Sequence, residues 1–520
     1  MTKLKSIISW MPCLLFLASM AACSDDSTSS GIALEGPDID VDPVMVRFND
    51  AQTATVSVSY EGKWRAELSD DSWCSIDKKE GTGNDVITVT ATGGNRSELQ
   101  VAKLTIRAVD HPLLLKTVQL VRSGENFYVD PLEMDYGLGD DMTQIVKVGC
   151  PGAWTAKLSD DCTWCTIDKT SGNGVDSIRI TSHLSLNPAN VADATLTITS
   201  NDNPEQSATV KLTYQEKYLH GSLITLNKAT KGKGINLIVT GDGFTEADMG
   251  KDGRWKDIMD RSLAAIFRFE PYASFREYFN VYAVTAVSET NEILNDTPSN
   301  TFYGVFYEQG INPGTRFNNQ NFIVEHTPIK GQDIDLMDVT VLMVINDDKY
   351  AGIASVAGSP AIGMAAVWET SDNPINLPEN MFPTLIAHEF LGHAFGKLAD
   401  EYYTRGVRVT EENKAAYKAA KEAYGHWQNV EFTDDPNQFD NPYWRQMLEM
   451  NYPGVGVIEG GIYCGLGVWR SSEKAMMNDQ VQTPYFSPVQ REIIYRKIHE
   501  LAGLPYSFDE FLEWDKKNLN

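Results

Sequence analysis

Between residues 38 and 216 apolar and polar side chains alternate in short runs separated by turn residues. Val86-Ile87-Thr88-Val89-Thr90, Leu104-Thr105-Ile106 and Val118-Gln119-Leu120 are answered later by Ile178-Arg179-Ile180, Leu196-Thr197-Ile198 and Val210-Lys211-Leu212. Period-two alternation turns one face of each run toward a core and predicts strands. The runs belong to an internal repeat: the stretch from Trp64 to Lys78 recurs from Trp154 to Lys169, 90 residues on, with one residue inserted before the second tryptophan. Units of this size with turn signals between strands predict two immunoglobulin-like β-sandwiches, at 38–123 and 126–216. From about residue 220 the pattern changes. Continuous apolar runs at 235–239, 278–287 and 339–345 alternate with helical periodicity at 254–267, 383–397, 411–423 and 487–501, so the expected fold is multidomain, with an α/β (α+β) domain at 220–520 whose sheet supports the helix 383–397.

The first residues carry a different signal. Lys3 and Lys5 precede an apolar run from 7 to 20, and Met20-Ala21-Ala22-Cys23 places small residues before a cysteine. That is the pattern of a lipoprotein signal peptide at 1–22, with Cys23 lipidated and residues 23–37, rich in Ser, Asp and Gly, as a flexible tether. Ser24-Asp25-Asp26 resembles the acidic export tag of Bacteroidetes surface lipoproteins. The expected location is therefore the outer membrane, exposed to the cell surface and reached through lipidated Cys23. A formal charge of −27, from 44 Lys and Arg against 71 Asp and Glu, argues against nucleic acid or an anionic membrane surface as partner. Of seven cysteines Cys13 leaves with the signal and Cys23 takes lipid. An odd remainder of five excludes a complete disulfide framework. Cys150 with Cys162 is one candidate bridge; Cys162-Thr163-Trp164-Cys165 has redox spacing, but Cys165 matches Cys74 of the first repeat, which favours packing.

The chemistry concentrates between His388 and Tyr402, where two imidazoles and three carboxylates fall within fifteen residues. In the usual H-E-x-x-H pattern the histidines lie four apart on one helix face and hold zinc, while the glutamate activates a water. Here His388 and His393 are five apart, which places them roughly 140° apart on a regular α-helix, too far round to share an ion. Either the helix is deformed or there is no metal. A π-bulge absorbs one residue and realigns the faces, and Gly392 eases it. A third ligand is needed: Asp400 is the first choice, reached by a reversal at Gly396, with Glu401 as the alternative or as support for a ligand. The expected cofactor is one catalytic Zn2+ held by His388, His393 and Asp400, with Glu389 as catalytic base and acid. Nothing in the spacing of Tyr463, Arg470 or Tyr485 selects one as an oxyanion donor.

The segment resembles the signature of the IgA-peptidase family of zinc endopeptidases, His-Glu-x-Gly-His followed seven residues later by Asp-Glu-Tyr, with one residue added between Glu389 and His393. The likeness extends to Ile235 through Thr245, with its Asp242-Gly243-Phe244-Thr245 turn. It continues in Phe269-Glu270-Pro271-Tyr272, Phe279-Asn280-Val281-Tyr282, Val344-Ile345-Asn346-Asp347 and Tyr350-Ala351-Gly352. The resemblance implies a zincin/metzincin-like peptidase domain acting on a protein or glycoprotein such as immunoglobulin A or mucin. It also implies a Met-turn in Ala475-Met476-Met477-Asn478, with Met477 as an apolar floor beneath the zinc. Both repeats resemble BACON domains, which implies either glycan contact or a spacer role. The tryptophans at core-like positions favour the spacer. The alternative function is an inactive surface lipoprotein that binds glycans or glycoproteins.

Overall fold

The computed structural model describes residues 39–518, apart from 49–52, 92–99, 110–113, 123–126, 151, 184–190, 316–319, 357, 370–377, 379 and 436–440. The signal peptide, Cys13, Cys23 and the tether lie outside the described residues.

The sequence repeat is also a topological one. In the first unit a four-stranded sheet runs in the order Asp40–Asp42, Thr53–Ser59, Asp85–Ala91, Cys74–Ile76. A five-stranded sheet runs Met45–Phe48, Leu115–Arg122, Gln100–Ala108, Lys63–Leu68, Glu80–Thr82. The second unit repeats both orders: Tyr128–Asp130, Thr143–Gly149, Asp176–Ser182, Cys165–Ile167 and Glu133–Leu138, Ser207–Tyr218, Ala194–Ser200, Ala153–Leu158, Ser171–Asn173. The alternation explains the packing. Val56, Ile87 and Val89 from one sheet share a core with Leu104, Ile106 and Leu120 from the other, and Val146, Ile178, Ile180, Leu196, Ile198 and Leu212 do the same in the second unit. All four repeat tryptophans, Trp64, Trp73, Trp154 and Trp164, are buried in these cores. Gly81 and Gly172 lie flat against Trp64 and Trp154; a Cβ at either would come within 2.1 Å of the indole, so each ring needs its glycine. The cysteine expectation is corrected: Cys74, Cys150, Cys162, Cys165 and Cys464 are all free, and Cys150 reaches the Ala153 carbonyl, not Cys162. The Arg47 guanidinium lies 3.4 Å over the Tyr128 ring between the two units. Asp140 of the second unit accepts from the backbone and hydroxyl of Thr225 in the third.

The C-terminal region is built on a six-stranded sheet in the order Leu223–Asn227, Phe279–Val284, Ile235–Asp242, Thr340–Ile345, Ala361–Ala366, Gly352–Ser355. The four inner strands are parallel, and both edge strands are antiparallel to their neighbours. Its inner strands read as continuous apolar runs because both faces are covered. Leu237, Val239, Leu342 and Val344 point into the core beneath the helices, whereas Ile238, Val341, Met343 and Ile345 point into a second core closed by Tyr303, Val305, Tyr307 and Ile323. Helices Arg254–Ile266 and Pro488–Ala502 form on the predicted segments within one residue at each end, and Glu411–Tyr424 ends one residue later than expected. The conspicuous Asp242 is a structural anchor. Fully buried, it accepts hydrogen bonds from Thr301 Oγ1, Ser288 Oγ and the backbone N–H groups of Tyr303 and Val305, tying the loop over the second core to the sheet.

Candidate metal centre

The expected bulge is a whole element. Phe382–Leu385 forms one α-helical turn led by Pro383, and Ile386–Phe395 continues it as a ten-residue π-helix. Bonding from i to i+5 brings residues five apart onto one face, as i to i+4 bonding does for residues four apart in an α-helix. The element is tightly constrained by its surroundings. Ile386, Ala387, Phe390, Leu391, Ala394 and Phe395 are wholly buried. Two glycines let it lie directly on the sheet: a Cβ at Gly363 would fall 2.6 Å from Phe390 Cα, and one at Gly352 2.6 Å from Glu389 Cγ. Tyr272, from the Phe-Glu-Pro-Tyr block, donates its hydroxyl to the Leu391 carbonyl at 2.7 Å.

His388 Nε2 and His393 Nε2 lie 3.2 Å apart, and Asp400 Oδ1 is 3.2 Å from the first and 3.1 Å from the second. Each imidazole donates its other nitrogen to a backbone carbonyl, His388 Nδ1 to Met476 at 3.0 Å and His393 Nδ1 to Leu398 at 2.7 Å. Those bonds select the tautomer whose Nε2 lone pair faces inward. Two lone pairs and a carboxylate oxygen therefore converge at the corners of a near-equilateral triangle. Zinc ligands at about 2.0–2.2 Å in a tetrahedron stand about 3.3–3.5 Å from one another, so the triangle fits such an ion with only slight expansion. Glu389 also offers an oxygen, within 4.8 Å of both imidazole nitrogens. Asp400 is the nearer carboxylate and fits the third corner; Glu389 stands beside the triangle.

The electrostatics agree. Burial opposes charge on His393, but the Asp400 carboxylate, with help from Glu389, outweighs it and pushes the imidazole up to about 9. Burial likewise opposes charge on Asp400, and the two imidazoles overcome it and hold its carboxyl well below the usual range. Such a pocket holds a positive charge, as a proton or as an ion. Burial raises the Glu389 carboxyl, with the imidazoles opposing.

The return of the chain to the third corner differs from expectation. Gly396 keeps helical angles, and the reversal occurs at Lys397, which takes φ 55°. Gly396 is needed for closeness, since a Cβ there would lie 2.8 Å from the Gly392 carbonyl oxygen. The Asn429 side chain then clamps both polar groups of the Ala399 backbone, and Met477 O accepts from the Glu401 amide. Glu401 is fully buried, receives a hydrogen bond from Asn429, and is pushed by burial up to about 7. It supports the Asp400 loop from behind.

Met477 is buried against the π-helix: a Cβ at Gly392 would come within 2.4 Å of its sulfur. Arg470 donates to the carbonyls of Glu459, Gly460 and Ser472, and Tyr463 shares a 2.7 Å hydrogen bond with Tyr402, whose ring stacks on His388. Tyr485 is exposed. Sequence reasoning missed Tyr350. Its hydroxyl oxygen accepts from Gln480 Nε2, its ring packs on Trp368, and the Glu389 carboxylate is an electrostatic neighbour. Asn429 and Gln480 were also missed; neither stands in a pattern with the histidines.

Comparison with known proteins finds likenesses to two family models. Residues 224–453 match the family model of the IgA peptidases M64, and residues 38–121 match that of the viral BACON domain. Over those residues the chain is similar to the M64 peptidases. The matched region holds the π-helix and Asp400, and ends before Met477. No curated protein matches the chain. Among solved structures, a Porphyromonas gingivalis W83 protein of unknown function is 12% identical over 35% of this chain and all of its own, with a TM-score of 0.16. A Bacteroides ovatus GH5 xyloglucanase in complex with a heptasaccharide is 19% identical over 24% of this chain and 29% of its own, with a TM-score of 0.15. A Salmonella enterica SafA pilin in complex with the SafB chaperone is 11% identical over 34% and 96%, with a TM-score of 0.18. Scores this low carry no argument about fold or function.

Proposed function

We propose that this M64 domain is a zinc-dependent metalloendopeptidase of zincin/metzincin-like fold, carried outside the cell on two immunoglobulin-like sandwiches and tethered through lipidated Cys23. The observation that carries the reading is the triangle of His388 Nε2, His393 Nε2 and Asp400 Oδ1, each side 3.1–3.2 Å, with both outer imidazole nitrogens fixed to carbonyls. Zinc held by these three residues would supply Lewis acidity toward the scissile carbonyl and would acidify a water there. Glu389, whose carboxyl is raised by burial, takes the proton of the attacking water and returns it to the leaving amine. Tyr350 is suited to meet the oxygen on which charge develops: Gln480 occupies its lone pair, and its own proton remains to be donated. The antiparallel edge strand Gly352–Ser355, beside Glu389, has no strand paired on its outer side among the described residues and would pair there with an extended peptide. A polar cleft of about 300 Å³ lined by Tyr403, Arg470, Glu473, Lys474, Asn478 and Asp479 borders the Met-turn and would accept a polar side chain.

The substrate class is an external protein or glycoprotein, with immunoglobulin A and mucins the first to try. The repeats act as spacers in this reading, because their tryptophans are core residues and form no exposed platform. The test uses the chain without residues 1–22: metal content by elemental mass spectrometry, and cleavage of a mixed peptide library read by mass spectrometry. About one zinc per chain and cleavage lost in Glu389→Gln with zinc retained are expected for a mononuclear catalytic site. A chain that takes up no zinc would instead support the binding-lipoprotein reading.

A further inference from the structure

The two sandwiches differ at one place that packing does not explain. Asp70-Asp71-Ser72-Trp73-Cys74 in the first becomes Asp160-Asp161-Cys162-Thr163-Trp164-Cys165 in the second, so the inserted residue is a cysteine. Cys74 and Cys165 are the equivalent core positions, both buried at the start of the same strand. Among the described residues the Cys74 thiol meets a backbone carbonyl, that of Asp70 at 3.5 Å. Cys165 has the inserted residue. The turn closed by the Cys162 amide on the Ser159 carbonyl swings Cys162 back over the core, and the two sulfurs stand 3.0 Å apart. That is inside the about 3.5–4.0 Å of ordinary carbon contact, and sulfur is the larger atom. About 1 Å of further approach reaches a bond of 2.03–2.05 Å, which small rotations about the two Cα–Cβ bonds supply.

We propose that Cys162 and Cys165 form a reversible disulfide, making the turn of the second sandwich a thiol–disulfide exchange site absent from the first. Access fixes the order of events. Cys162 is half-buried and reachable, whereas Cys165 is buried and burial pushes its thiol well above the usual range. The oxidant is a small disulfide, RSSR. The Cys162 thiolate, having given its proton to solvent, attacks one sulfur of RSSR, forming the mixed disulfide and releasing one thiolate that is protonated to RSH. Cys165 then loses its proton and attacks Cys162 Sγ, forming the protein disulfide and releasing the second RSH. Two protein thiols are oxidised, one RSSR is reduced to two RSH, and a dithiol reverses the sequence. This chemistry is independent of the peptidase site.

The experiment equilibrates the folded full chain with millimolar oxidised glutathione, blocks remaining thiols under denaturing conditions with iodoacetamide, and maps each cysteine by peptide mass spectrometry. The expected result is a peptide bearing both Cys162 and Cys165 that carries no alkyl group, is two hydrogens lighter, and regains two alkyl groups after dithiothreitol. Cys74 should remain alkylated as the internal control. Cys162→Ser keeps a small polar residue on the turn, and there Cys165 should stay fully alkylated. Alkylation of both cysteines in the oxidised wild type, glutathione retained on Cys162, or a Cys150–Cys162 bridge would each overturn the proposal.

Discussion

Gly392 and Met477 give the sharpest test of how the centre is supported. A methyl at Gly392 would stand 2.4 Å from Met477 Sδ and 3.1 Å from its Cε, in a region with no exposed surface. Ordinary contact needs about 3.5–4.0 Å, so the sulfur must retreat by more than about 1 Å. Overpacking of that kind costs about 1–3 kcal/mol, against about 0.5–1 kcal/mol regained by replacing a helical glycine with alanine. Gly392→Ala is therefore expected to destabilise the π-helix by up to about 2.5 kcal/mol. Met477→Ala alone removes a buried side chain and costs about 2–5 kcal/mol. In the double variant the new methyl enters the space left by the methionine, so the two costs fall short of their sum by about 1–2 kcal/mol. Native-state hydrogen exchange read by mass spectrometry on peptides spanning 386–398 measures this locally in the intact chain, where global unfolding of several domains would not be two-state. Zinc affinity should follow the same order, with Gly392→Ala weakening it about tenfold, the lower end expected for residues that orient ligands. Additivity within about 0.3–0.5 kcal/mol would refute the reasoning and remove Met477 from beneath the helix.

Three further outcomes are expected. His393→Ala should abolish stoichiometric zinc by elemental analysis, and Asp400→Asn should weaken binding more than Glu401→Gln; equal losses would mean that Glu401 shares the corner. Tyr350→Phe should lower kcat by about 10²–10³-fold, the cost of one oxyanion donor, with KM and zinc content unchanged, whereas a purely structural Tyr350 would alter KM or metal content as well. Lys397 is buried, and burial, with Lys497 adding to it, pushes its amine down to about 7 from an ordinary 10.5. Between those values the unfolded chain holds a proton that the folded chain lacks, so stability rises with pH there, and the full penalty, on the order of several kcal/mol, applies below pH 7. Lys397→Met should flatten that slope in the local opening free energy read by hydrogen exchange on peptides spanning 386–398 between pH 7 and 10; an unchanged difference from wild type across the range would count against a buried neutral amine.

Much of the fold was legible because it rests on local periodicity. Alternation identified the strands of both sandwiches, the repeat announced a repeated topology, and continuous apolar runs marked sheet strands covered on both faces. The candidate site was legible too, because His388, Glu389, His393 and Asp400 fall within a short stretch whose residue types suit metal chemistry. The five-residue spacing stated the problem in sequence terms without choosing its answer. Only the tertiary structure decided that. A π-helix is a poor choice for an isolated segment and is held by its surroundings, here glycines of two neighbouring strands, the Tyr272 hydroxyl and Met477. The same holds for the carbonyls of Met476 and Leu398 that fix both imidazoles, for Asn429 that clamps the Asp400 loop, and for Tyr350 held by Gln480. The reversal assigned to Gly396 fell to Lys397, and the candidate Cys150–Cys162 bridge gave way to the contact of Cys162 with Cys165. The residue types that carry the chemistry are written in the chain, whereas the partners that orient them lie dozens of residues away and become neighbours only when the cores close.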